Sequence, residues 1–220
     1  MSGQTYTGDV EVGGPADTRE VPGLTITKVA VSEMANNAYL LRDTATGEAL
    51  LVDAAAEPDR LRALIGDADL RTVVTTHGHW DHHRALPDVV AATGAVTVAH
   101  AADASDLPVE VQRTVDHGDT VTVGGHSLEV VHLRGHTPGS IALVYRGHGD
   151  SGVHVFTGDS LFPGGPGRTT NPRDFTSLMD DLEARIFPLP DDTWFYPGHG
   201  NDSTLGAERP HLEEWRARGW

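Results

Sequence analysis

The chain is 220 residues long, a length at which one compact domain buries enough apolar surface to need no disulfide staple. With 16 Lys and Arg against 32 Asp and Glu, the net charge is −16. That field repels phosphate backbones, and no basic cluster offsets it, so nucleic acid is excluded as a partner. Cysteine is absent, which removes disulfides, thiol nucleophiles and thiolate metal ligands, whereas histidine occurs 13 times.

No apolar run reaches the ~20 residues that span a bilayer, so no membrane partner is expected. Residues 1–22 are polar and glycine-rich, with neither a basic start nor an apolar stretch of the signal-peptide kind. They read as a flexible N-terminal arm ahead of one domain over 23–220, and the cytoplasm is the expected compartment.

Leu24–Val31 alternates β-branched residues and reads as a strand. Asn37–Arg42 and Glu48–Asp53 flank a turn ending in Gly47 and read as a hairpin. Glu57–Ile65 has Pro58 in its first turn and Leu61, Leu64 and Ile65 at helical spacing, with Gly66 to end it. Arg71–Thr76 reads as a buried strand. A helix is expected from about Asp81 to Ala92, closed by Gly94, and a short strand over Val96–Ala99. Further strands are expected at Thr120–Val123, Ser127–Leu133, Ile141–Tyr145, Val153–Thr157 and Trp194–Tyr196. Amphipathic helices are expected at Asp174–Phe187 and Leu205–Arg216. Meanders and helices in both halves predict an α/β layered sandwich rather than a barrel or a doubly wound sheet.

The chemistry concentrates at strand ends. His77-Gly-His79-Trp-Asp81-His82 follows the buried strand directly and offers four donors within six residues. Alternation in an extended loop lets His77 and His79 point to one side. Gly135-His136-Thr-Pro-Gly139, Thr157-Gly-Asp159-Ser-Leu161 and Pro197-Gly-His199-Gly200 each place one more donor beside glycine. Five His and two Asp exceed what one tetrahedral ion takes, and they suffice for two ions sharing a carboxylate. Neutral imidazoles with carboxylates suit zinc, iron or manganese.

H-x-H-x-D-H, G-H-T-P-G-S, T-G-D-S-L-F and P-G-H-G in this order resemble the motif series of the metallo-β-lactamase superfamily, from about Val29 to the last helix. The resemblance implies a four-layer αβ/βα sandwich with its site along one edge of two sheets. It implies that His77, His79 and His136 hold one metal, that Asp81, His82 and His199 hold a second, and that Asp159 bridges them. Two zinc ions are the implied cofactor, with iron or manganese as substitutes. The segments after Asp159 and before His199 are similar to the glyoxalase II-like, hydroxyacylglutathione hydrolase-like enzymes in their short, single-domain form. The absence of cysteine separates the chain from β-lactamases that use a Cys ligand.

The resemblance thus implies a hydrolase that cleaves a small-molecule thioester with a metal-bridging hydroxide, Asp81 serving as the catalytic residue that orients the nucleophile. Lactones or other esters on the same site are one alternative. A persulfide dioxygenase with one iron on two His and one Asp is another. Arg168, in a glycine-rich loop near Asp159, is a candidate contact for an anionic substrate, with a loop-ordering salt bridge as its plainer role. The tyrosine that glyoxalase II enzymes place after G-H-T falls at Leu143 here, which leaves Tyr145 as the candidate substrate contact. His83 reads as a satisfied histidine at a helix start. His100, His117, His126, His132, His148, His154 and His211 read as surface or packing residues.

Overall fold

A computed structural model describes residues 5–147 and 152–219, so His148 lies outside the described residues. Seven strands form the first sheet: β1 (Asp17–Val21), β2 (Leu24–Val31), β3 (Asn36–Asp43), β4 (Glu48–Val52), β5 (Asp69–Val74), β6 (Val96–His100) and β7 (Arg113–Val115), in that spatial order. β1 to β4 meander antiparallel, and β4 to β7 run parallel. Parallel neighbours need crossovers. Helices α1 (Pro58–Ile65) and α2 (Leu86–Thr93) supply the first two.

The second sheet is built from β8 (Thr120–Val123), β9 (His126–His132), β10 (Ile141–Arg146) and β11 (Val153–Gly158) as an antiparallel meander. A short ribbon, β12 (Leu161–Phe162) with β13 (Gly165–Pro166), and helix α3 (Pro172–Asp181) then lead to β14 (Trp194–Pro197). β14 lies parallel to β11, and β15 (Ser203–Thr204) closes the edge. Helices α4 (Leu205–Glu208) and α5 (Leu212–Arg218) finish the described chain.

Period-two alternation sorts side chains into three apolar layers. On β4, Leu50 and Val52 face the other sheet, while Ala49 and Leu51 face α1 and α2. On β10, Ile141 and Leu143 enter the inter-sheet core, and Ala142 and Val144 pack under α3. The result is helices, sheet, sheet, helices: the four-layer sandwich expected from the sequence. Among the described residues, no helix is long and apolar enough to cross a membrane.

Four expectations need correction, one being the last helix, which breaks around Pro210 into α4, a 3-10 turn at Arg209–His211 and α5. The segment 1–22 is not a loose arm where it is described: Asp17–Val21 pairs with β2 as an edge strand. Tyr6 packs on Trp194 and donates to Asp202, and the Gly8 carbonyl accepts from the buried Lys28 ammonium. These contacts are polar or aromatic, so hydrophobic periodicity could not announce them. The helix expected from Asp81 to Ala92 splits into a 3-10 turn at Trp80–His82 and α2, whose first turn holds Pro87. Proline lacks the N–H that a helix interior requires. The helix expected at Asp174–Phe187 starts earlier, at Pro172. There Asn171 accepts from the Arg173 and Asp174 amides, and the last turn, Leu182–Ile186, widens to a π-helix.

Candidate metal centre

All four donor segments emerge at one edge of the two sheets. β5 releases Thr75–His83, whose 3-10 turn aims Asp81 and His82 inward beside His77. The β9–β10 loop supplies His136, the end of β11 supplies Asp159, and the end of β14 supplies His199. Backbone bonds stitch the sheets together here: Ile141 N–H donates to Thr76 O at 2.9 Å, and Asn37 N–H to Gly198 O at 2.7 Å. At Gly198 a Cβ would lie 2.1 Å from Asp159 Oδ1 and 2.6 Å from His82 Cε1. That glycine makes room for the donors themselves.

The seven residues converge as two triads, His77/His79/His136 and Asp81/His82/His199, with Asp159 grouped with His77 and His82 between them. His77 Nε2 lies 3.2 Å from His79 Nδ1, and His82 Nε2 lies 3.2 Å from His199 Nε2. Asp81 Oδ2 is 3.3 Å from His199 Nε2 and 3.6 Å from His82 Nε2. Asp159 turns Oδ1 to His82 Nε2 at 3.4 Å and Oδ2 to His199 Nε2 at 3.5 Å and His136 Nε2 at 3.7 Å. Ligand bonds of ~2.0–2.1 Å in a tetrahedron set donor–donor edges of about 3.3–3.4 Å, so these spacings fit a shared cation. His136 Nε2 and Asp159 Oδ1 are buried without a hydrogen-bond partner, a costly state that a bound cation relieves.

The outward ring nitrogens are engaged, which fixes the tautomers. His136 Nδ1 donates to Arg168 O at 2.7 Å, and His199 Nδ1 to Met34 O at 2.9 Å. His82 Nδ1 donates to Asp53 Oδ2 at 2.9 Å. His77 Nδ1 donates to Thr76 Oγ1 at 3.1 Å, and that hydroxyl donates onward to Asp53 Oδ2 at 2.8 Å. Asp53 Oδ1 also accepts the Thr76 amide at 2.7 Å. One buried carboxylate therefore aligns a ring of each triad. Asn36 Nδ2 donates to Asp81 Oδ2 at 2.9 Å. Sequence reasoning missed both Asp53 and Asn36. The available signal was an Asp directly after an apolar strand; its left-handed φ of +58° emerges only in the structure.

Burial divides the imidazoles. It pulls His77 well below, and His136 below, the usual histidine range. Burial pulls on His82 and His199 too, but facing carboxylates outweigh it. Asp159 and Asp53 raise His82 to about 10, and Asp159 and Asp81 raise His199 to about 9. Burial favours the neutral acids of Asp81 and Asp159, yet His199 and Asn36 beside Asp81, and the facing His199 and His82 rings beside Asp159, hold both below the usual carboxylate range.

The remaining sequence candidates separate. Arg168 contributes its carbonyl to His136, while its exposed guanidinium makes no ion pair among the described residues. Tyr145 is corrected from substrate contact to core residue: it sits at the far end of β10 in the inter-sheet layer, its hydroxyl on His126 Nδ1 at 3.0 Å. His83 is buried and donates to Gly78 O at 3.2 Å. His100 and His132 stack at 4.0 Å and group with Asp116, a clustering the sequence did not suggest. His100 Nδ1 accepts the Ala102 amide, which puts the neutral ring's proton on Nε2, the nitrogen facing Asp116. A cleft of about 570 Å³ opens beside His79 and His136, walled by Arg134, Thr170, Asp174 and Ser177.

The model of the metallo-β-lactamase superfamily matches residues 31–199. A hydroxyacylglutathione hydrolase of Fuscovulum blasticum is 38% identical over 167 residues, 74% of this chain and 62% of the relative. The hydroxyacylglutathione hydrolase GloC of Haemophilus influenzae is 31% identical over 202 residues, 82% of this chain and 93% of the relative. The chain thus spans less than two thirds of the first relative and nearly all of the second. Among solved structures, ETHE1 from Myxococcus xanthus shares 34% identity at a TM-score of 0.75, covering 87% of this chain and 84% of that one. TTHA1623, solved in a di-iron-bound form, shares 29% at a TM-score of 0.67, covering 83% and 96%.

Proposed function

The chain belongs to the metallo-β-lactamase superfamily, and from that premise we propose that it is a two-metal hydrolase cleaving the thioester of a small thiol, as glyoxalase II enzymes do. One observation carries the reading: two complete donor triads meet at a carboxylate whose two oxygens face donors of both. His77, His79 and His136 would hold one ion, Asp81, His82 and His199 the other, and Asp159 would lie between them. The His/Asp set suits zinc, and iron is the ion named for TTHA1623. When bound, such ions supply Lewis acidity and an acidified water close to neutral pH.

The chain's own groups supply orientation. Asp81, whose Oδ2 accepts from the Asn36 amide, accepts a hydrogen bond from the attacking water and aims it at the carbonyl. A thiol with a pKa near ~8.5 leaves as the thiolate, so no side-chain acid is required. The cleft of about 570 Å³ beside His79 and His136 would receive the thiol carrier. Arg168, whose carbonyl holds His136 but whose side chain does not line that cleft, stays a candidate contact for a carboxylate outside it. Lactones remain substrates of the same chemistry.

Metal analysis of protein purified without added metal should give about two ions per chain. One iron per chain with persulfide-dependent oxygen uptake would replace the hydrolase by a dioxygenase. Asp81→Ala should keep the circular dichroism of the parent and lose about 10²–10⁴-fold in thioester hydrolysis. Retained activity would mean that another group organises the nucleophile. Acyl thioesters of glutathione and of other small thiols, assayed side by side, identify the carrier.

A further inference from the structure

We infer that Asp103 is the positioning residue of the His77/His79/His136 triad, clamping together the two loops that bear its donors; this rests on the two-ion reading above. Asp103 follows β6 and is 1% exposed. Its Oδ2 accepts the Gly78 amide at 2.8 Å and the Thr137 hydroxyl at 2.5 Å, and its Oδ1 accepts the Gly139 amide at 2.6 Å. Gly78 lies between His77 and His79, and Thr137 and Gly139 follow His136 in the loop from the other sheet. A single carboxylate thus spans the junction across which the triad must assemble. The approach is close: a Cβ on Gly139 would lie 2.7 Å from Asp103 Cγ.

The clamp is selective. Asp81, His82 and His199 are held by Asn36, Asp53 and the Met34 carbonyl, none of which touches Asp103. Asp103 bonds to no donor ring; it acts through the Gly78 and Gly139 amides and the Thr137 hydroxyl, beside the donors in the chain. Partners that orient ligands without binding the ion are worth about 10–100-fold in metal affinity. Losing Asp103 should therefore weaken one triad and spare the other, which a general loss of stability would not do.

The test is chelator-competed zinc titration of the whole chain in two backgrounds. With Asp81→Ala the first triad is intact, and adding Asp103→Asn should lower zinc affinity 10–100-fold. With His79→Ala the second triad is intact, and Asp103→Asn should change its affinity less than twofold. Should Asp103→Asn fail to melt cooperatively, Thr137→Val carries the same test with a smaller loss of the same selectivity, and Thr137→Ser, which keeps the hydroxyl, should restore affinity. Equal losses in both backgrounds, or none in either, overturn the inference. If the parent protein takes up no zinc at all, the two-ion reading fails instead.

Discussion

Asp53→Asn offers a sharp test of the centre because it changes one atom and no shape. Asp53 sits at φ +58°, a left-handed conformation that Asn tolerates as well as Asp, so the backbone is not strained by the exchange. The amide then has one oxygen and one NH2 group where there were two acceptors. If its oxygen stays on the Thr76 amide, its NH2 meets the His82 Nδ1 that donated to Asp53. A neutral His82 must then move its proton to Nε2, the nitrogen the ion needs. If the amide reverses, the Thr76 N–H is left buried against a donor. The first arrangement costs about 1–3 kcal/mol of ligation, roughly 5- to 150-fold in affinity, while the second costs about as much in stability with or without the ion. Competitive zinc titration should show this loss at the second triad, with hydrolysis falling in parallel. Thermal melts with and without chelator separate the two arrangements, since only the reversed amide destabilises the chelated protein, by about 2–4 °C per kcal/mol. Wild-type affinity together with an unshifted melt of the chelated protein would refute the tautomer argument.

Two further outcomes follow from the charges. In chelated protein His82 and His199 titrate near 10 and 9, so at pH 7 both hold a proton that an ion must expel. Affinity at the second triad should fall as pH drops below about 10, and more steeply below about 9. Calorimetry at pH 7 in buffers of different ionisation enthalpy should report one to two protons released per second ion, and zero would contradict the assignment. Lys28→Met removes a fully buried ammonium from Asp202 Oδ1 at 2.7 Å and from the carbonyls of Gly8 at 2.7 Å and Gly200 at 2.8 Å. Breaking such a buried pair costs about 3–5 kcal/mol, a melting temperature lower by about 6–20 °C. A shift under about 2 °C would show that the N-terminal segment is not anchored through this lysine.

The elements that were legible are those whose information is local. Leu24–Val31 and Thr120–Val123 match their strands residue for residue, because β-branched alternation needs no knowledge of the partner. The seven donors were legible because spacing alone brings four of them together and glycine marks the other three. Asp53, Asn36 and Asp103 were not. Each is an ordinary polar residue at a strand end or turn, and each acquires its role from residues 23 to 45 positions away, through pairings that only the docked sheets create. Tyr145 was misplaced for a different reason. The motif drew attention to the strand, although period-two alternation with Ile141 and Leu143 already put its ring in the inter-sheet core.

That docking is also what makes the centre possible. Neither triad exists within one sheet: His77, His79, Asp81 and His82 follow β5 of the first sheet, while His136, Asp159 and His199 follow strands of the second. Leu50, Val52, Phe156 and Tyr196 between the sheets therefore set distances among donors they never touch. Seven donors cannot all be together in the unfolded state, where only the four of His77–His82 stay close, so an ion would bind the folded form far more tightly. Its binding free energy then adds to the stability of the sandwich, about 2.7 kcal/mol at one hundred times the dissociation constant. The inter-sheet core holds this junction by apolar burial in the middle, and a bound ion would hold it by ligation at the edge.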